Sequence, residues 1–135
     1  MTFRFFGLFL LVLTVSACTE LPYNNLDNGH LKTLLEQGVP IYDIRRPEEW
    51  HQKGVVANSQ LLTFVDGRGR VLPDFMQRFT SAVQKDDPVV LICQTGGRTS
   101  TLARYLVEKL GYTQVYNVRD GITRWIRDDL PVTRL

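Results

Sequence analysis

The sequence predicts an α/β fold, a parallel sheet with helices packed on both faces. Strand-like and helix-like segments alternate from about residue 21 to residue 131, and such alternation closes most economically through right-handed crossovers. Val89-Val90-Leu91-Ile92 is a continuous apolar run rich in β-branched residues, the pattern of a central strand covered on both sides. Leu102, Ala103, Leu106, Val107 and Leu110 then form one stripe of a helix that Gly111 closes.

The first stretch, MTFRFFGLFLLVLTVSACTE, has one positive charge followed by an uncharged apolar run from Phe5 to Val15. This is the pattern of a secretory signal, and it is shorter than the roughly 20 residues of a membrane-spanning helix. Val15-Ser16-Ala17-Cys18 resembles the bacterial lipobox, which implies cleavage before Cys18 and a lipid on its sulfur. The alternative is an ordinary signal cleaved near the Ser-Ala step, with Cys18 uninvolved. The expected organisation is a signal over 1–17, a tether over 18–28 and one folded domain over 29–133. Thr19 and Glu20 lack the Asp associated with inner-membrane retention, so a lipid-anchored, periplasm-facing protein would lean toward the outer membrane.

Within the domain, Leu21 to Asn28 is polar and turn-rich, a tether or a short first strand. Leu31, Leu34 and Leu35 recur at helical spacing after Asp27 and Asn28, either of which can cap, and Gly38 ends the turn. Ile41 to Ile44 reads as a short strand. Pro47-Glu48-Glu49-Trp50 opens a brief helix with proline and acids where a helix N-terminus favours them. Ser59 to Val65 reads as a strand and Asp66 to Gly69 as a loop. Pro73 opens a helix carrying Phe75, Met76, Phe79 and Val83, stopped by Asp86-Asp87-Pro88. Gln114 to Val118 is the last strand, and Ile122, Trp125 and Ile126 mark a short closing helix before Pro131.

Composition narrows the function. The chain carries 16 Lys+Arg against 14 Asp+Glu, and Arg4 is the one charge lost on cleavage before Cys18. A nearly neutral domain with scattered charges has no footprint for nucleic acid. His30 and His51 are the only histidines and no Cys-x-x-Cys accompanies them, so neither a metal site nor another cofactor is expected. Trp50 and Trp125 read as core aromatics, and Arg68, Arg70 and Arg78 as surface charge. Glu48 and Glu49 are adjacent, project in different directions on a helical turn, and cannot work as an acid–base pair; one serves the helix start.

Chemistry concentrates at Cys93-Gln94-Thr95-Gly96-Gly97-Arg98. In open α/β sheets, sites lie outside the carboxyl ends of the strands, and Cys93 stands at such an end. Two glycines permit the positive-φ turns of a tight cradle, so that loop amides, the next helix's N-terminus and Arg98 converge on Sγ and favour the anionic nucleophile. The same donors suit a bound anion such as thiosulfate, phosphate or sulfite. Packing alone also accounts for a cysteine at a buried strand end.

Three ordered motifs resemble the single-domain rhodaneses, the thiosulfate sulfurtransferases, over about Leu31 to Pro131. They are Asp43-Ile44-Arg45 with Pro47-Glu48-Glu49-Trp50, then CQTGGRT, then Gly111-Tyr112 through Val115 to Gly121 and Trp125. The resemblance implies a five-stranded rhodanese-like sheet and a persulfide on Cys93, with Gln94, Thr95, Gly96, Gly97, Arg98 and Thr99 binding substrate. It also implies that Asp43 and Arg45 support the loop from the neighbouring strand end. Two positions depart from the family pattern: Lys53-Gly54-Val55 replaces Gly-His-Ile, and Asp120-Gly121 replaces Gly-Gly. Asp tolerates left-handed backbone, so a turn at Asp120 can survive.

Four residues separate Cys93 from Arg98. Cysteine-dependent phosphatases space the pair one residue further apart to surround a phosphate ester, so sulfur transfer outranks phosphate or arsenate chemistry here. The implied partners are a small anionic sulfur donor and a thiol or cyanide acceptor, with a protein acceptor also open. The rival is a non-catalytic persulfide or redox carrier of the same fold.

Overall fold

The computed structural model describes residue 1 and residues 18–135, so apart from Met1 the signal expected over 1–17 lies outside the described residues. Five parallel strands form one sheet in the order β1-β5-β4-β2-β3. They are β1 (Asn24–Leu26), β2 (Ile41–Asp43), β3 (Gln60–Leu61), β4 (Val89–Ile92) and β5 (Val115–Val118). The helices are α1 (Asn28–Glu36), α2 (Pro47–Lys53), α3 (Phe75–Ala82), α4 (Gly97–Leu110) and α5 (Gly121–Arg127). The predicted α/β class and its parallel sheet are both present.

The central strand β4 shows why the domain has two packing layers. Side chains alternate across a strand, so Val89 and Leu91 join Phe75, Phe79, Leu102 and Leu106 on the α3/α4 face. Val90 and Ile92 face Leu31, Ile122 and Trp125 on the α1/α5 face. All four β4 residues are fully buried. The same parity puts Cys93 with Val89 and Leu91, directing its side chain under the start of α4.

The helix ends follow local chemistry. Of the two candidate caps for α1, Asp27 serves, its carboxylate accepting from the His30 N–H at 2.9 Å. Pro47 occupies the first turn of α2, and the Glu49 carboxylate folds back to accept the Arg46 N–H at 2.8 Å, the reciprocal half of a capping box. Gly111 closes α4 in the left-handed region.

Three boundaries differ from the sequence expectation. Of the two readings of Leu21 to Asn28, the strand is the one that forms: β1 pairs with β5, so the sheet begins inside the segment expected to be tether. The strand expected over Ser59 to Val65 keeps ladder geometry only at Gln60–Leu61, although Leu62 and Phe64 still donate to the Asp43 and Ile44 carbonyls. Consecutive Phe64 and Val65 both turn into the α3/α4 core, which breaks period-two alternation and starts a hairpin-like return in which Val65 bridges Val71. The helix expected from Pro73 begins at Phe75. Among the described residues no helix is long and apolar enough to cross a membrane.

Candidate active site

Sγ of Cys93 lies beneath the loop that joins β4 to α4. It accepts a hydrogen bond from the Gly96 N–H at 3.2 Å and lies 3.4 Å from the Thr99 hydroxyl. Thr99, fully buried, also donates to the Gly96 carbonyl at 3.1 Å. Helix α4 therefore starts directly over the sulfur, with its N-terminal dipole on that side. Cys93 is 1% exposed. Of the expected ring of amides, one donates to the sulfur, and the Thr99 hydroxyl beside it donates its hydrogen bond to the Gly96 carbonyl.

Of the two glycines expected to bend the loop, Gly96 alone takes a left-handed conformation, at φ +94°. A Cβ there would collide with the Arg119 carbonyl. Gly97 instead opens α4 with open space around it. The left-handed turn considered for Asp120 falls on Gly121: Asp120 has φ −105°, whereas Gly121 has φ +62°. A Cβ on Gly121 would strike the Gln94 carbonyl, so only glycine lets the β5–α5 turn lie against the loop. Two amides of α5 complete that contact, Ile122 N–H to the Cys93 carbonyl at 2.9 Å and Thr123 N–H to the Gln94 carbonyl at 3.1 Å. The Gln94 side chain reaches the Thr123 hydroxyl at 3.3 Å, away from the sulfur.

The other flank is built from charge. Arg98 grips Glu49 bidentately, at 2.8 and 2.7 Å. Burial works to raise the Glu49 carboxyl, but the hydrogen bonds from Arg98 and the Arg46 amide, with both cations' charges, more than offset it and hold the group at about 2. The Arg98 guanidinium is raised in turn, first by its hydrogen bond to Glu49, and Cys93 and Asp43 lie close enough to act on it. The terminal nitrogens of Arg98 are thus engaged by protein.

Asp43 and Arg45 form a fully buried ion pair, Nη2 to Oδ2 at 2.7 Å. Arg45 also donates to the Gly54 carbonyl at 2.7 Å and the Glu49 carbonyl at 3.3 Å, and Trp50 Nε1 donates to Asp43 at 3.1 Å. These bonds hold α2 and its C-terminal turn. Their connection to the loop runs through Glu49 and Arg98 rather than by direct contact. The sequence carries one mark of the Glu49 clamp, an acid in the first turn of a helix that follows the neighbouring strand. Cys18 is exposed, and Thr95 is exposed at the loop tip.

A buried cysteine in a six-residue loop, at the carboxyl end of the central strand of a five-stranded parallel sheet, defines the class: α/β domains that present one sulfur at a helix N-terminus. Residues 27–128 match the Rhodanese-like domain family, and the chain belongs to that family. A sulfurtransferase from Allochromatium vinosum is 32% identical over 111 residues, covering 81% of this chain and 94% of that protein. The thiosulfate sulfurtransferase GlpE of Glaesserella parasuis is 36% identical over 55 residues, 41% of this chain and 50% of that one. In fold, the chain is similar to the polysulfide-sulfur transferase homodimer from Wolinella succinogenes, with TM-score 0.67 and 21% identity over 84% of this chain and 80% of that one. The family match and the two sulfurtransferases support a sulfurtransferase-like role; the structural likeness shows the fold.

Proposed function

We propose that the protein is a rhodanese-type sulfurtransferase that carries a sulfane sulfur on Cys93 from thiosulfate or a similar donor to cyanide or a thiol. The observation that carries this reading is the Gly96 N–H on Sγ at 3.2 Å, at the start of α4. In the first step the Cys93 thiolate attacks the outer sulfur of thiosulfate. The new S–S bond forms as the S–S bond of the donor breaks, and sulfite leaves with the electron pair. The Gly96 N–H, fixed in advance on Sγ, stabilises the Cys93 thiolate before this step and again when it is released in the next. In the second step the acceptor attacks the outer sulfur and Cys93 leaves as thiolate. The substrate-binding roles assigned to Gln94, Thr95, Gly96, Gly97, Arg98 and Thr99 belong to this proposal.

The burial of Cys93 and the engagement of Arg98 by Glu49 are what favour the second reading, a persulfide carrier that loads but turns over little. Thiosulfate and cyanide separate the two. Steady thiocyanate production that disappears in Cys93→Ser supports the enzyme; loading of one sulfur without turnover supports the carrier. Phosphate-ester hydrolysis would overturn both.

The proposal extends to location: export, cleavage before Cys18 and a lipid anchor on that cysteine, facing the periplasm and leaning to the outer membrane. Membrane partition of the wild type and Cys18→Ser tests it, since equal solubility removes the anchor.

A further inference from the structure

A cleft runs along one edge of α4, between Arg98, Thr101 and Tyr105 of that helix and the return from Phe64 to Val71. One end, about 310 Å³, is lined by Arg46, Asp66, Arg98 and Val65, together with Phe64, Val71 and Thr101. The last three residues also line an adjoining hollow of about 310 Å³, completed by Met76 and Tyr105. The shared walls make the two hollows one cleft, beginning at the last residue of the cysteine loop and ending on an apolar floor. Val71 and Tyr105 are 51% and 46% exposed, two large apolar surfaces on opposite walls.

The charges at the loop end are already matched. Arg98 pairs with Glu49 at 2.7 Å, Arg46 with Glu48 at 2.6 Å, and Asp66 with Arg70 at 3.0 Å. An occupant bound by charge would have to displace a partner, whereas an apolar body displaces only water. The volume is that of a small-molecule site.

We propose that this cleft holds the sulfur acceptor, a low-molecular-weight thiol with an apolar, aryl or alkyl body lying on Phe64, Val71, Met76 and Tyr105 and its sulfur toward the loop. The inference rests on the persulfide reading of Cys93. The acceptor thiolate attacks the outer sulfur of the Cys93 persulfide, its S–S bond forms as the bond to Cys93 breaks, and Cys93 keeps the electron pair as thiolate. Arg98, the last residue of the cysteine loop, lines the near end of the cleft, while Thr99 touches Sγ from the other side of the same turn of α4.

The full-length protein is loaded with thiosulfate, and sulfur removal is timed with phenylmethanethiol, with 2-mercaptoethanol and with cyanide. Phenylmethanethiol is expected to be preferred over 2-mercaptoethanol by about tenfold or more in kcat/KM, the scale of discrimination by an apolar pocket. In Val71→Asp and Tyr105→Ala that ratio falls toward one, while loading and removal by cyanide keep their wild-type rates. A ratio near one in the wild type, a ratio that survives both substitutions, or a parallel loss with cyanide overturns the proposal. If no persulfide forms, the sulfurtransferase reading fails, and the cleft is judged separately with benzyl methyl sulfide, an unreactive analogue. Met1 and Met76 are the only methionines, so a saturable shift of the Met76 methyl resonance that Val71→Asp abolishes supports the site. No such shift overturns it.

Discussion

The two flanks of the cysteine loop are held by different physics. On the α5 side, backbone lies against backbone: Gly96 under the Arg119 carbonyl, Gly121 against the Gln94 carbonyl, and two amides of α5 donating to the strand end. On the α2 side the support is ionic, a buried Asp43–Arg45 pair fixing the helix whose Glu49 grips Arg98. Close backbone contact has no tolerance for an added atom. The ion pairs have directional tolerance but fail when one charge is removed, because the other is left buried and alone.

The largest effect should come from breaking the ionic flank at its base. Arg45→Ala leaves Asp43 unpaired at 0% exposure and is expected to cost about 3–5 kcal/mol of stability, the range for removing one partner of a buried pair. Urea unfolding measures it. Next is the backbone flank, where Gly121→Ala places a Cβ on the Gln94 carbonyl at φ +62°. Left-handed strain plus forced displacement of the loop predicts a loss of about 2–4 kcal/mol and failure to load sulfur. Equal loss of stability with normal loading would show that this flank holds the fold and not the site.

Glu49→Gln sharpens the comparison because it removes charge but keeps shape. A loss of about 1–2 kcal/mol is expected from the half-buried clamp, below the base pair because water still reaches it. The pH dependence has a definite sign. A carboxyl held at about 2 when folded and 4.5 when free contributes stability that is fully present above 4.5 and is lost as pH falls toward 2. Glu49→Gln should flatten the acid limb of the stability profile in that window; an unchanged limb would mean that Glu49 is not clamped. The smallest effect is expected at Asp120→Gly, since Asp120 already has negative φ: a change within about 0.5 kcal/mol, as for an ordinary surface position.

The same contrast explains what was legible in the sequence. Val89 to Ile92 reads as a two-sided central strand because continuous apolar residues have few other homes; its carboxyl end locates the loop, and Gly96 and Gly121 stand in two of the three motifs that carry the family resemblance. Backbone requirements leave residue-type marks. The Glu49–Arg98 clamp joins residues 49 positions apart through tertiary packing alone, and both side chains are common surface residues, so no local pattern disclosed it. The short β3 was hidden for a related reason: Phe64 looks like strand until it is known that Val65 turns to the same core. The cleft on α4 arises where that return meets Thr101 and Tyr105, a juxtaposition that periodicity does not encode.

The most direct test of the central claim, that this doubly held loop readies one sulfur for transfer, is the mass of the intact protein after brief exposure to thiosulfate. The account predicts one added sulfur, on Cys93, absent in Cys93→Ser and in Gly121→Ala. An unchanged mass in the wild type, or a sulfur that still loads when the Gly121 contact is broken, would contradict it.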